Sequence, residues 1–204
     1  MRSPGLRRPS GSAQEHARRR NRALTEREVH SAHLPDTPAG PITVWVSEGG
    51  VRRVEFGPLP REAHTDPPEE WPPLLRRSVE ELKEYFARRR TEFDLPLDLH
   101  AATDFQKRVY RELVKVPHGR LTTYGRLAEA VDRPELARAV GQAVGANPIP
   151  IIIPCHRVVA SEGRLGGFSG GLPVKVALLA IENVTVDGAT ENSKVHPEVL
   201  RLDL

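Results

Sequence analysis

Residues 124–146 read YGRLAEAVDRPELARAVGQAVGA. Two helical patterns share this stretch. The spacing predicts one helix over 124–131, with Leu127, Ala128 and Val131 inward, and another over 135–146. Asp132-Arg133-Pro134 separates them, with Pro near the first helical position. Two short helices joined this closely predict a helix-turn-helix. Upstream, Thr103-Asp104-Phe105-Gln106 fits a capping box. The helix that it opens is expected to bury Phe105, Val109, Leu113 and Val116, and Pro117-His118-Gly119 ends it.

The helix over 135–146 has two unlike faces. Leu136, Val140, Ala143 and Val144 fall on one side; Ala137, Arg138, Gly141, Gln142 and Gly145 fall on the other. A solvated face normally carries long charged residues. This one carries small residues around one Arg, although each Gly costs about 1 kcal/mol against Ala inside a helix. Either another body approaches closely, with Arg138 projecting into it, or the face packs on the rest of the chain. A major-groove reader needs several base-reading side chains. This face has too few, and suits the minor groove or the DNA backbone better.

Downstream, Asn147-Pro148 stops the helix, and Ile149–Ile153, interrupted by Pro150, is expected to be buried and extended. Pro154-Cys155-His156-Arg157-Val158-Val159 follows. Cys155 is the single cysteine, which excludes an intramolecular disulfide framework and a multi-cysteine zinc site. A lone cysteine is commonly an inert buried thiol. Beside this one, His156 can lower the thiol pKa or take its proton, directly or through water, and Arg157 adds positive charge. Glycines then crowd 163–171 around Phe168 and Ser169 without forming the Gly-x-Gly-x-x-Gly element of dinucleotide sites. They read as a lid or wall on which Phe168 can stack a ring. The helix over 172–182 is apolar nearly all round and ends on Glu182. A carboxylate there opposes the helix dipole by about 0.3–1 kcal/mol. Glu182 either orients His156, whose other nitrogen then serves Cys155, or caps a frayed, solvated end.

The chain has 204 residues, enough for one domain or two small ones at roughly 150 residues each. Ile42, Val44 and Val46 alternate with polar or aromatic neighbours, Gly49-Gly50 turns, and 51–56 returns, a hairpin. Residues 57–72 read as a Pro- and acid-rich loop, and 73–90 as a helix with a Leu75, Val79, Leu82, Phe86 stripe. This unit carries no chemical motif and reads as a scaffold. The expected division is an Arg-rich tail at 1–28, an α/β domain at 34–98, a DNA-binding domain at 99–185 and a C-terminal tail at 186–204. The net charge is +3, with basic residues concentrated in 1–28 and 100–182; a basic domain hints at an anionic partner. The first 28 residues read as a solvated extension, with a transit peptide or non-specific nucleic-acid contact as alternatives. No apolar run spans a membrane, and the chain reads as cytoplasmic.

Residues 105–182 strongly resemble the O6-alkylguanine-DNA alkyltransferases, also called methylated-DNA–protein-cysteine methyltransferases. The resemblance rests on Pro-Cys-His-Arg-Val at 154–158, Ala-Arg-Ala-Val-Gly at 137–141, Asn-Pro-Ile-Pro-Ile at 147–151 and Gly-Gly-Phe-Ser-Gly-Gly at 166–171. It implies a two-domain α+β fold, a small ribonuclease H-like sheet-plus-helix domain followed by a winged helix-turn-helix. It also implies a monomer that binds double-stranded DNA through the minor groove and flips the damaged guanine out. On this basis Arg138 is the finger that enters the stack, while Ala137 and Gly141 let the helix sit close. Tyr124 hydrogen-bonds the guanine and supplies a proton to it. Val158 and Ser169 read the base edge, Phe168 lines the pocket, and Asn147 bridges the recognition helix to the active-site loop. Glu182 and His156, through a water, make Cys155 a thiolate that takes the alkyl group once, with no cofactor and no metal. Two features depart from some members: Phe168 replaces a Tyr, and the cysteines of a structural zinc site are missing. O4-alkylthymine is a further conceivable substrate. Two other readings are a non-catalytic lesion-binding protein, with Cys155 buried or protonated, and a cysteine hydrolase using Cys155, His156 and Glu182.

Overall fold

The computed structural model describes residues 29–63, 65 and 67–196. The Arg-rich segment 1–28 lies outside the described residues. Three antiparallel strands come first, β1 (His30–Leu34), β2 (Ile42–Ser47) and β3 (Gly50–Phe56), in the order β1-β2-β3. The hairpin expected from Ile42, Val44 and Val46 is β2 and β3. Strand β1 has no counterpart in the sequence reading: in His-Ser-Ala-His-Leu only Ala32 and Leu34 alternate, too short a run to mark a strand, and both are buried. Gly50 is required where it stands. Its φ is +138°, and a Cβ there would come within 2.4 Å of the Pro96 carbonyl oxygen.

Helix α1 (Pro73–Phe86) packs across this sheet through buried Leu75, Val79, Leu82 and Tyr85. Each such side chain contributes about 1.5–3 kcal/mol by leaving water. The helix ends at Phe86 rather than at the expected residue 90, because Arg88 turns left-handed with φ +58°. The Arg89 N–H then bonds the Glu84 carbonyl at 2.8 Å and the Arg88 N–H the Tyr85 carbonyl at 2.9 Å, a Schellman ending.

The second half is mainly helical. Helix α2 (Asp104–Lys115) carries the expected capping box: Thr103 accepts from the Gln106 N–H at 3.2 Å, and Gln106 accepts from the Thr103 N–H at 2.9 Å. Val109 and Leu113 are buried as expected, Phe105 is half-buried, and Tyr110 is also buried. After β4 (Thr122–Thr123) come α3 (Tyr124–Ala130) and α4 (Ala137–Gly145), which pack on each other, with α2 against α4. This is the helix-turn-helix. Its second helix starts later than expected, because 134–136 form a separate 3-10 turn in which Leu136 is only half-buried. Strand β5 (Val158–Val159) pairs in parallel with β4, and α5 (Leu172–Ile181) closes the domain.

Two segments differ from expectation. Residues 149–153 are buried but turned rather than extended: the Ile153 N–H reaches the Ile149 carbonyl at 2.9 Å, and Ile151 has φ +74°. The stretch assigned to a C-terminal tail, 186–204, is folded as far as it is described, to residue 196. Val186 bridges Val195, Lys194 bridges Arg164, and Val195 packs with Leu121, Val159, Leu165, Leu179 and Val184.

The two halves share one apolar core. A backbone bond also joins them, Val54 N–H to the Pro148 carbonyl at 2.9 Å, while Val51 N–H to the Pro96 carbonyl at 2.7 Å and Asp98 N–H to the Val51 carbonyl at 2.8 Å tie the segment that leaves the first half back to β3. The Arg88 guanidinium adds bonds to the Ala180 carbonyl and the Asn183 side-chain oxygen, both at 2.9 Å.

Candidate active site

Cys155 begins a 3-10 turn, Cys155–Arg157, directly after Pro154. The chain reaches it through the 149–153 turn, and Asn147 holds both ends of that turn. Its Nδ2 donates to the Ile153 carbonyl at 2.8 Å, and its Oδ1 accepts from the Ile149 N–H at 3.0 Å. A β-branched residue at positive φ, as at Ile151, costs about 1–3 kcal/mol, so the turn persists only because such contacts and its buried isoleucines fix it. Asn147, just beyond the end of α4, therefore clamps the turn that leads to Cys155.

Cys155 is 3% exposed. Burial pushes its thiol up to about 11, while the Asn147 side-chain hydrogen bond, the Lys175 charge and the backbone N–H groups of Cys155 and His156 pull it down. The adjacent imidazole thus does not leave a preformed thiolate. The proton has to leave in the reaction itself.

His156 and Glu182 are both buried, and His156 Nε2 lies 2.8 Å from Glu182 Oε1. Glu182 caps the C-terminal end of α5 inside the protein, so the frayed, solvated reading does not hold. Its carboxylate accepts from three further groups. Tyr85 Oη donates at 2.9 Å, Arg157 donates through Nε at 3.0 Å and Nη2 at 2.9 Å, and the Gly119 N–H donates at 2.9 Å. Burial alone raises a carboxyl pKa, but His156 and Arg157 outweigh it and hold Glu182 well below the usual carboxylate range. His156 is pushed below its ordinary 6.5 by burial, which the Glu182 charge only partly offsets. The ring is therefore neutral, with Nε2–H donating to Glu182 and the Nδ1 lone pair available as a base. Nδ1 is buried and has no hydrogen-bond partner among the described residues.

Tyr124 is the first residue of α3, half-buried, with its ring between Gly141 of α4 and Gly166. Burial raises its phenol pKa, and the neighbouring Cys155 and Glu191 raise it further, so the phenol keeps a proton to donate. The glycine-rich segment is a pinned wall. Leu165 N–H bonds the Ser193 carbonyl at 2.7 Å, and Gly166 N–H bonds the Glu191 carbonyl at 3.1 Å. Phe168 is half-buried on it and Ser169 exposed. On α4, Arg138, Gln142 and Gly145 are exposed, with Ala137 and Gly141 half-buried at the margin. That face is not packed on the first domain.

Sequence reasoning missed Tyr85 and Lys175, and read Arg157 only as positive charge near the thiol. Tyr85 comes from the domain without a motif and reaches Glu182 across the interface. Arg157 is buried, with Nη1 on the Val116 carbonyl and the rest of its fork on Glu182. Lys175 is buried in α5, and its ammonium donates to the Val158, Leu165 and Gly167 carbonyls at 2.7, 2.6 and 3.2 Å. Burial pulls its pKa down to about 8, with Cys155 acting the other way. It ties the Val158 strand to the glycine wall and brings a cation to the thiol; the Val158 carbonyl keeps one lone pair for a ligand. A lone Lys inside the otherwise apolar run 172–181 was the available signal. Among the described residues no three His, Cys, Asp or Glu side chains gather as a metal site, and no helix is long and apolar enough to cross a membrane.

Comparison with known proteins agrees with this arrangement. The family profile for the 6-O-methylguanine DNA methyltransferase ribonuclease-like domain matches residues 32–99, and that for the DNA binding domain of the same proteins matches 104–184. A methylated-DNA–protein-cysteine methyltransferase of Mycobacterium tuberculosis is 43% identical over 151 residues, 72% of this chain and 88% of the relative. One from Methanosarcina barkeri is 38% identical over 150 residues, 72% of this chain and 93% of the relative. The crystal structure of Mycobacterium tuberculosis OGT in complex with DNA superposes with a TM-score of 0.66 at 39% identity, covering 76% of this chain and 93% of that one. Both halves of the fold are accounted for by one family in one order, and the chain belongs to the methylated-DNA–protein-cysteine methyltransferases.

Proposed function

We propose that Cys155 takes the alkyl group of O6-alkylguanine in double-stranded DNA, in a single stoichiometric transfer that leaves normal guanine behind. The observation that carries this reading is the His156–Glu182 pair, which sets an unprotonated Nδ1 on the same short turn as the thiol. The Cys155 proton passes to Nδ1 through a water, and Glu182 stabilises the imidazolium that forms. The sulfur pair attacks the alkyl carbon, an S–C bond forms, and the C–O6 bond breaks with its electrons passing to the purine. Tyr124 donates a proton to the ring as that charge develops and is reprotonated from solvent. The thioether is not readily hydrolysed, so the molecule acts once.

Arg138 is the finger. It stands exposed on α4 among small residues, which suits close approach to a minor groove and occupation of the space left by a flipped base. Flipping costs a few kcal/mol, least for a damaged base. Val158, Ser169 and Phe168 bound the pocket, with 34–98 as scaffold and 99–185 as the DNA-binding half. A mechanism that depends on a free thiol fits a reducing compartment, the cytoplasm.

The buried thiol at about 11 is also what a non-catalytic lesion-binding protein would show. A single-turnover titration with duplex DNA containing O6-methylguanine, followed by peptide mass spectrometry, separates the two. One methyl per protein, on Cys155, with the reaction then stopping, is the expected result, and Cys155→Ala should bind the duplex without gaining mass. Lesion binding by the native protein with no methyl gained would reject transfer, and repeated turnover of an ester or amide would indicate a hydrolase.

A further inference from the structure

We propose that Phe56, at the end of β3 in the motif-free domain, is a positioning residue that sets how large an alkyl group the active site accepts. This rests on the transfer reading above. Three observations meet at Phe56. Its ring lies 5.9 Å from that of Phe168, inclined by 59°. A Cβ built on Gly170 would stand 2.7 Å from the Phe56 ring and 2.8 Å from the Phe168 ring, so Gly170 has no room for a side chain while both rings stay where they are. Two residues earlier, the Val54 N–H bonds the Pro148 carbonyl, next to the Asn147 clamp on the cysteine turn. Strand β3 therefore holds both sides of the pocket, the 147–148 hinge by its backbone and the glycine wall by Phe56. A cavity of about 400 Å³ lies between them, lined by Phe56, Asn147, Pro150, Ser169 and Gly170 together with the charged Arg53 and Glu55.

A methyl group needs little room beyond the reacting carbon. A larger substituent needs space that the wall bounds, and the wall is backed by an aromatic ring rather than by solvent. The paired rings hold the wall against the end of β3. Removing Phe56 frees Phe168 and Gly170 to move outward.

The test compares native protein, Phe56→Ala, Phe56→Leu, Gly170→Ala and Phe56→Ala/Gly170→Ala on the same duplex carrying O6-methylguanine or O6-benzylguanine. The readout is the ratio of benzyl to methyl transfer rates. Phe56→Ala should raise it by about 10-fold, the scale set by one methylene of pocket space, and Phe56→Leu should fall between. Gly170→Ala should slow both substrates, and the double variant should recover much of that loss. Equal loss on both substrates in Phe56→Ala, an unchanged ratio, or no recovery in the double variant would overturn the proposal. Absence of methyl transfer by the native protein would instead remove the transfer reading itself.

Discussion

Tyr85→Phe isolates one bond between the two halves of the molecule. The change deletes a single oxygen, leaves the buried ring in place, and opens no cavity of consequence. The lost bond is the 2.9 Å one from Tyr85 Oη to Glu182 Oε1; His156 Nε2, 3.5 Å from the phenol oxygen, makes only a weak contact with it. Hydrogen bonds to charged groups contribute about 1.5–3 kcal/mol. Glu182 keeps His156, both Arg157 donors and the Gly119 N–H, so the low end of that range applies, about 1.5–2 kcal/mol. For a chain of this size that lowers Tm by about 3–8 °C. His156 remains held by Glu182, so methyl transfer should slow by less than about 10-fold, the kinetic equivalent of about 1.4 kcal/mol. Thermal unfolding by circular dichroism and a single-turnover transfer assay read the two quantities separately. A Tm shift within about 1 °C would mean that the phenol does not serve a buried carboxylate. A far larger rate loss at unchanged Tm would place Tyr85 in the chemistry.

Three other outcomes are expected. Arg138→Ala should slow transfer from duplex DNA far more than reaction with free O6-benzylguanine base, and equal losses on both would contradict the finger role. Lys175→Met should slow transfer by about 10-fold or more, since it removes a cation from beside Cys155 and unties the glycine wall. It should also lower Tm, because the Val158, Leu165 and Gly167 carbonyls lose their donor, an effect offset in part by removal of a desolvated charge; normal transfer would overturn the assignment. Stability should fall on acidification, first below about 6.5 as His156 is protonated in the unfolded chain but resists it in the fold, and then below about 4.5 as the depressed Glu182 carboxyl gives up its contribution. Urea midpoints that stay constant from pH 8 to pH 4 would refute both assignments.

The helix-turn-helix was legible because its signals are local: periodicity, a capping box, a proline between two apolar stripes. Cys155 and His156 were legible as neighbours in the chain, and Glu182 as an acid at the wrong end of an apolar helix. Tyr85 was not, because its partner comes from the other half of the chain; the Leu75, Val79, Leu82, Phe86 stripe points beside it rather than at it. Arg157 reads as local positive charge, and only the fold shows that Glu182 and the Val116 carbonyl absorb it. Strand β1 escaped because pairing with β2, rather than its own composition, makes His30–Leu34 extended. The turn at 149–153 escaped because buried isoleucines favour strands, and the Asn147 clamp overrides that preference.

The bonding of Val54 to Pro148, and of Arg88 to Ala180 and Asn183, also bears on how the molecule comes apart. The family profiles divide the sequence in two, yet these bonds and the apolar core run across the division. Loss of structure in either half strips partners from the other, so the described residues should unfold in one cooperative transition, with coincident thermal curves by different probes. The DNA-reading half expressed alone would expose the surface that β3 and α1 cover and would leave the Pro148 carbonyl without its strand partner, so dissecting the chain at the sequence boundary would yield a fragment unable to hold its own catalytic turn.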